Sequence, residues 1–167
     1  ITGTGSSTQG RLTSTSGFTI NPGSGTVTVS ANLAGAVNLT KSGAGTAELS
    51  GYNAYSGTTT LSASGGVLAI TGSGSLSGTS AGLYSGTISI GSGATFKYSS
   101  STNQTLEGVI SLSGNLTKDT GASSVLTLSG ANTYSGVTTI TAGTISVGTI
   151  GAGGATGNLG AANSTAT

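Results

Sequence analysis

The chain has 167 residues, enough for one domain of ordinary size, yet only 4% of them are charged and the net charge is +1. Four scattered basic residues (Arg11, Lys41, Lys97 and Lys118) leave no nucleic-acid footprint. With neither Cys nor His, disulfide scaffolds and thiolate or imidazole metal sites are excluded, and no apolar run approaches the ~20 residues of a membrane-spanning helix.

Glycine contributes 32 residues and Ser plus Thr about 60. Such a chain could be disordered, but disorder of this kind also needs high net charge. The apolar residues instead alternate, as in Thr26-Val27-Thr28-Val29, Thr87-Ile88-Ser89-Ile90 and Val125-Leu126-Thr127-Leu128. Valine and threonine favour strands, so the expectation is an ordered all-β chain. Residues 1–10 read as turn, and Ile1-Thr2-Gly3 has neither the basic start nor the apolar core of a leader. The reading there is a mature start or a piece of something longer. Short strands are then expected at 12–13, 18–20, 26–29, 36–40, 46–49, 58–61, 67–70, 87–90, 95–98, 109–112, 116–117, 125–128, 138–141 and 144–147. Gly-Ser, Gly-Gly and Asn-containing turns separate them, and the single proline, Pro22, falls in one. No window carries a helical period.

One tract occurs twice. Asn38-Leu39-Thr40-Lys41 matches Asn115-Leu116-Thr117-Lys118, and Leu49-Ser50-Gly51 matches Leu128-Ser129-Gly130. Asn53-x-Tyr55-Ser56-Gly57 matches Asn132-x-Tyr134-Ser135-Gly136, and Thr59-Thr60-Leu61 matches Thr138-Thr139-Ile140. The tracts span about 38–70 and 115–147 of what reads as a single segment, 1–167. Short strands with one apolar face each need continuous stacking, and a direct tract repeat favours a parallel β-solenoid over an antiparallel sandwich. Stacking is expected to put each residue over its counterpart in the other copy, with Leu49 and Leu128 inward and Asn53 and Asn132 in equivalent turns.

The second copy, from Leu116-Thr117-Lys118 through Leu126-Thr127-Leu128-Ser129-Gly130-Ala131-Asn132-Thr133-Tyr134-Ser135-Gly136 to Ala142-Gly143-Thr144-Ile145-Ser146-Val147, resembles the autotransporter-associated β-strand repeat, also called the passenger-associated transport repeat. The first copy departs from the pattern at Ala47-Glu48 and at the lengthened Ser64-Gly65-Gly66. The resemblance implies a right-handed parallel β-helix, secreted or displayed on a bacterial surface, often within large adhesin-like proteins, with no catalytic activity. At about 22 residues per coil, a size taken from the resemblance, and ~4.8 Å per step, the chain would form a rod roughly 35 Å long.

Chemistry has little to work with. Three carboxylates, Glu48, Glu107 and Asp119, stand alone, and no base is at hand to activate a serine. The recurring Asp of calcium-binding solenoid repeats is missing. No enzyme, cofactor or metal is therefore expected. Asn53, Tyr55, Gly57, Asn132, Tyr134 and Gly136 read as structural motif residues. In that reading Asn suits a left-handed turn, Tyr covers it, and Gly serves backbone geometry. Lys41 and Lys118 read as solvated corner charges, and Lys118→Ala should change stability by less than about 0.5 kcal/mol. The N-x-[Ser/Thr] triplets at Asn38, Asn103, Asn115 and Asn163 read as chance in so Ser/Thr-rich a chain.

Three functions are weighed. The first is an extracellular structural segment of a stalk, surface protein or fibre, continued by neighbouring repeats or by copies of itself end to end. Uncharged ends and the further-coil look of Gly157-Asn158-Leu159-Gly160 motivate that partner. The second is an adhesin module for surface glycans or host proteins, with Tyr84, Tyr98 and Phe96 as candidate contacts and the solenoid core as the alternative place for Phe96. The third is ice binding by Thr-x-Thr spellings at 13–15, 26–28 and 58–60, for which hydroxyls must recur once per coil in register; along the sequence they recur irregularly. Membrane insertion and nucleic-acid binding are not expected.

Overall fold

A computed structural model describes residues 10–76, 82–120, 123–152 and 155–161. The turn-like opening and the end of the tail lie outside the described residues. Among those described, no helix occurs, and three strands per turn of chain form three walls around one apolar interior. The first wall begins with β1 (Arg11–Thr13), β4 (Asn32–Gly35), β7 (Tyr52–Tyr55) and β10 (Ser75–Leu76). It continues as β11 (Leu83–Tyr84), β14 (Gln104–Leu106), β17 (Val125–Leu128) and β19 (Thr144–Val147). The second wall stacks β2 (Phe18–Ile20), β5 (Leu39–Lys41), β8 (Thr59–Leu61), β12 (Ile88–Ile90) and β15 (Ile110–Ser111). The third has β3 (Thr26–Val29), β6 (Thr46–Leu49), β9 (Val67–Gly72), β13 (Thr95–Ser100), β16 (Asn115–Lys118) and β18 (Thr138–Ile140). Every strand pair is parallel, so the expected parallel β-solenoid is the observed fold.

Alternation sets the walls. In Thr46–Leu49 and Val125–Leu128 every second residue is buried, and Leu49 and Leu128 both point inward at 0% exposure. Each fully buried leucine contributes about 1.5–3 kcal/mol through loss of its apolar surface from water. The interior is one cluster running from Phe18 to Tyr134, with Leu39, Leu61, Ile88 and Ile110 in successive coils of the second wall.

Partners lie about one coil apart in sequence: Thr26 pairs with Thr46, Thr46 with Val67 and Ile88 with Ile110. The fourth coil is longer, so Val67 pairs with Thr95. There the first wall is split. β10 pairs below with Tyr52 and Asn53, and β11 pairs above with Thr105 and Leu106. Gln104 takes the backbone N–H of Leu76 on its Oε1 at 2.8 Å, which joins the two halves into one wall. The extra chain is 77–82, of which 77–81 lies outside the described residues.

Two expectations change. The first-wall strands β4, β7, β10, β11 and β14 had read as turn, and the strand expected at 36–40 sits at Leu39–Lys41. The two copies of the repeat also do not stack on each other. Leu39 to Lys41 lies in the second wall and Leu116 to Lys118 in the third. From Leu39, three coil steps through Thr59 and Ile88 lead to Ile110, and Leu116 lies one wall further on. The second copy is thus turned by one wall relative to the first.

Candidate functional site

Each copy stacks on itself. In the first, Leu39 and Lys41 lie beneath Thr59 and Leu61, and Thr46 to Leu49 beneath Val67 to Ile70. In the second, Leu116 and Lys118 lie beneath Thr138 and Ile140, and Val125 to Leu128 beneath Thr144 to Val147. A tract of about 33 residues wraps once and pairs its own end with its own start. This accounts for a motif longer than a coil: it writes both sides of the contact it makes.

Buried polar side chains close that contact. Asn53, at 0% exposure, accepts the N–H of Leu33 on Oδ1 at 3.2 Å. Its Nδ2 donates to Gly51 O at 2.8 Å and to Ser75 O at 3.2 Å, so one amide links three successive coils. Asn132, equally buried, accepts the N–H of Ile110 at 2.7 Å and donates to Asn158 O at 2.5 Å. The two asparagines therefore do occupy equivalent places. Neither has a positive φ, and Asn53 lies within β7, so the left-handed turn expected for them is replaced by a cross-coil bridge. Gln104 repeats the device, donating from Nε2 to Gly82 O at 2.6 Å. Asn53 and Gln104 stand in a first-wall interior column otherwise filled by Leu12, Leu33, Leu76 and Leu126, while Asn132 stands over Ile110 of the second wall. These amides supply an acceptor and donors where backbone pairing alone leaves groups open, and a buried group left open costs free energy.

Tyr55 and Tyr134 are interior as well, each at 1% exposure. Each hydroxyl meets the threonine four residues on, Thr59 or Thr138, at 2.7 Å. In the first copy Tyr84 joins from the next coil, 2.7 Å from Thr59 Oγ1 and 2.7 Å from Gly57 O. A carbonyl only accepts, so the Tyr84 proton goes to Gly57, Thr59 donates to Tyr84, and Tyr55 donates to Thr59. The Tyr55 and Tyr84 rings meet edge to face at 5.7 Å between centroids. Burial raises the hydroxyl pKa of Tyr55, Tyr84 and Tyr134, and pushes that of Tyr98 up to about 12.

Gly57 and Gly136 have ordinary φ values, and what requires glycine is the coil below. A Cβ at Gly57 would run into Val37 O and Asn38 Oδ1, and one at Gly136 into Gly114 O.

Lys41 and Lys118 are not solvated corner charges. Both are 0% exposed, because they fall two residues after an inward leucine and share its direction. Each curls its ammonium onto the carbonyls that end the strand. Lys41 Nζ donates to Ser42 O and Gly43 O at 2.8 Å and to Gly65 O at 2.5 Å. Lys118 Nζ donates to Thr120 O at 2.6 Å and stands 5.7 Å from the Tyr98 ring centre. Burial lowers both pKa values, and the Asp119 charge offsets part of the shift at Lys118.

The expected binding contacts are also interior. Tyr84 is 2% exposed and Tyr98 0%, with the Tyr98 hydroxyl on Thr102 O at 2.7 Å. Phe96 lies at 0%, in the core that was its alternative. A hot-spot aromatic needs an exposed ring, and these offer none. Beside Tyr84 lies a shallow cleft of about 130 Å³ lined by Ala54, Tyr55, Ser56, Leu83, Ser85 and Gly86, at the split in the first wall.

The carboxylates are dispersed. Glu48 accepts from Thr28 at 3.2 Å, and Asp119 pairs with Lys97 at 2.7 Å and accepts from Ser99. Partial burial raises the Asp119 pKa, but the hydrogen bonds from Lys97 and Ser99 and the Lys97 charge outweigh it and the net shift is downward. Among the described residues no three of His, Cys, Asp and Glu gather. The triplet asparagines Asn38, Asn103 and Asn115 have structural work: their Oδ1 atoms accept the N–H of Thr58, Val125 and Val137, one coil on, at 2.8 to 2.9 Å.

A family model described as passenger-associated-transport-repeat matches residues 39–70 and 120–147. No curated protein and no solved structure matches the chain. The matched stretches are the two tracts that wrap and pair with themselves, and the chain is a parallel β-solenoid carrying two passenger-associated-transport repeats.

Proposed function

We propose that the chain is a structural segment of an extracellular rod: a stalk or passenger-type solenoid whose work is to supply length and a bland, durable surface. One observation carries this. The distinctive polar residues of the repeat are buried and spent on internal hydrogen bonds, between coils for Asn53, Lys41 and Asn132 and within a coil for Tyr55, Tyr134 and Lys118, not presented for chemistry. Such a segment needs neither catalytic groups nor a cofactor. The repeat family supports a secreted or surface-displayed protein.

Neighbouring coils are the partners this reading calls for, from the same polypeptide or from another copy. Inward positions on the outermost described strands support it: Val27 is 43% exposed on β3 and Ile140 53% on β18. Each of these strands pairs on one side only, and open backbone edges are templates for further pairing. An adhesin module is the second reading, favoured by the cleft beside Leu83 and Tyr84.

Electron microscopy and sedimentation of the purified chain, with glycan-array binding in parallel, test the proposal. Concentration-dependent lengthening along the rod axis and a blank array are expected. A monomer at high concentration would refute the end partner. Saturable glycan binding that disappears in Leu83→Asp would replace the stalk by the adhesin.

A further inference from the structure

Register on the second wall gathers what the sequence scatters. Thr19 pairs with Thr40, Thr40 with Thr60, Thr60 with Ser89 and Ser89 with Ser111. Their strand neighbours Phe18, Ile20, Leu39, Leu61, Ile88 and Ile90 are buried, so these five residues face outward. They form one file of hydroxyls, one per coil, stepping at ~4.8 Å over about 19 Å. The spacing is irregular in sequence only because the fourth coil carries extra chain on another wall. Of the spellings at 13–15, 26–28 and 58–60, only Thr60 belongs to this file. Ser14 caps a local turn through Gly17, Thr28 bonds Glu48, and Thr59 points into the core.

Two properties set this wall apart. Its outward file has no charge, since the one charged side chain on these strands, Lys41, turns inward; the third wall carries Glu48 and Lys97 outward. Among the described residues the Thr19, Thr40 and Thr60 hydroxyls also make no hydrogen bond, whereas Ser89 and Ser111 touch at 3.3 Å. A free hydroxyl offers one donor and two acceptor sites to water. Held at ladder spacing, such groups keep bridging waters in a fixed array whose ordering entropy is already partly spent. A charged group would instead hold its own hydration shell.

We propose that the outer face of the second wall binds the surface of ice, through a file of lattice-spaced waters held by Thr19, Thr40, Thr60, Ser89 and Ser111. A crystalline surface of neutral, hydrogen-bonding water is complementary to a neutral, periodic, hydroxylated strip. A glycan fits less well, because sugar sites are concave and use aromatic faces, and this file has neither. The proposal is independent of how the rod continues at its ends.

The test uses the full chain. Thermal hysteresis and incorporation of dye-labelled protein into a growing ice hemisphere are measured for the wild type, Thr40→Lys, Thr60→Lys and the first-wall control Thr127→Lys, each with a melting curve to show that it is folded. Hysteresis and uptake are expected in the wild type and in the control, with loss in the two second-wall variants. If one second-wall variant fails to fold, the other carries the comparison. A folded wild type without hysteresis, equal activity in all variants, or binding to insoluble polysaccharide without uptake into ice would overturn the proposal.

Discussion

Removing the Asn53 side chain separates a structural amide from a binding contact. In Asn53→Ala the N–H of Leu33 loses its acceptor, and the carbonyls of Gly51 and Ser75 lose a donor. Gly51 O keeps the Ser75 N–H at 3.2 Å, so the uncompensated groups are the Leu33 N–H and, in part, the Ser75 carbonyl. At about 1–3 kcal/mol for the Leu33 N–H and part of that again for the Ser75 carbonyl, the loss should total about 2–4 kcal/mol. That is a large share of the roughly 5–15 kcal/mol that holds a typical domain. Asn38→Ala is the control, because Asn38 Oδ1 holds the Thr58 N–H at 2.8 Å over the same separation of 20 residues. That bond is exposed, so water replaces it and the cost should stay near the ~0.5–1.5 kcal/mol of an ordinary hydrogen bond. Guanidinium and thermal unfolding of the three proteins give the comparison. Equal shifts for the two variants, or a folded Asn53→Ala within about 1 kcal/mol of wild type, would refute the reasoning.

Lys118→Ala should cost about 1–2 kcal/mol in the same unfolding assay, since the Thr120 carbonyl loses a charged donor and Tyr98 its ring contact; a change below about 0.5 kcal/mol would return the residue to the ordinary surface class. Gly136→Ala should destabilise by more than about 2 kcal/mol, because the new methyl meets the Gly114 backbone rather than a side chain that can swing aside; an unchanged melting temperature would contradict the close coil contact. Alkaline pH should unfold the chain. Tyr55, Tyr84, Tyr98 and Tyr134 have pKa values raised above 10.0, so their stabilisation is whole below that pH and is lost as pH rises toward the folded values, about 12 for Tyr98. Lys41 and Lys118, lowered from 10.5, act in the opposite sense only up to that pH, and above it the tyrosines act alone. Melting temperatures that hold steady from pH 9 to 12 would count against buried tyrosine hydroxyls.

The second and third walls were legible because Leu, Ile and Val alternate there with Thr and Ser, as in Ile88–Ile90; β17 and β19 of the first wall share that pattern and were legible too. The middle of the first wall was not. Its strands read Asn-Leu-Ala-Gly, Tyr-Asn-Ala-Tyr and Gln-Thr-Leu, with amides and tyrosines at inward positions. Burial of such residues is allowed only by partners a coil away, such as Leu33 for Asn53 and Leu76 for Gln104, and no local window contains them. Lys41 and Lys118 were within reach of the same alternation that placed Leu39 and Leu116 inward, but their charge was read in place of their position. The rotation of the second repeat by one wall comes from the extra chain at 77–82 together with the mismatch between repeat spacing and coil length. The repeat was plain in the sequence; the residues over which it stacks were not.

Which residues stack decides the account, and a chain without cysteine allows clean labelling. Nitroxide pairs are placed at Thr40 and Thr60, and separately at Thr40 and Thr117, the counterparts in the two repeats. Both positions in the first pair face outward on adjacent rungs of the second wall, one ladder step of ~4.8 Å apart. The second pair lies three coils and one wall apart. The account predicts strong dipolar broadening for 40 and 60 and none for 40 and 117. Broadening for 40 and 117 with none for 40 and 60 would mean that repeat stacks on repeat, and would contradict it.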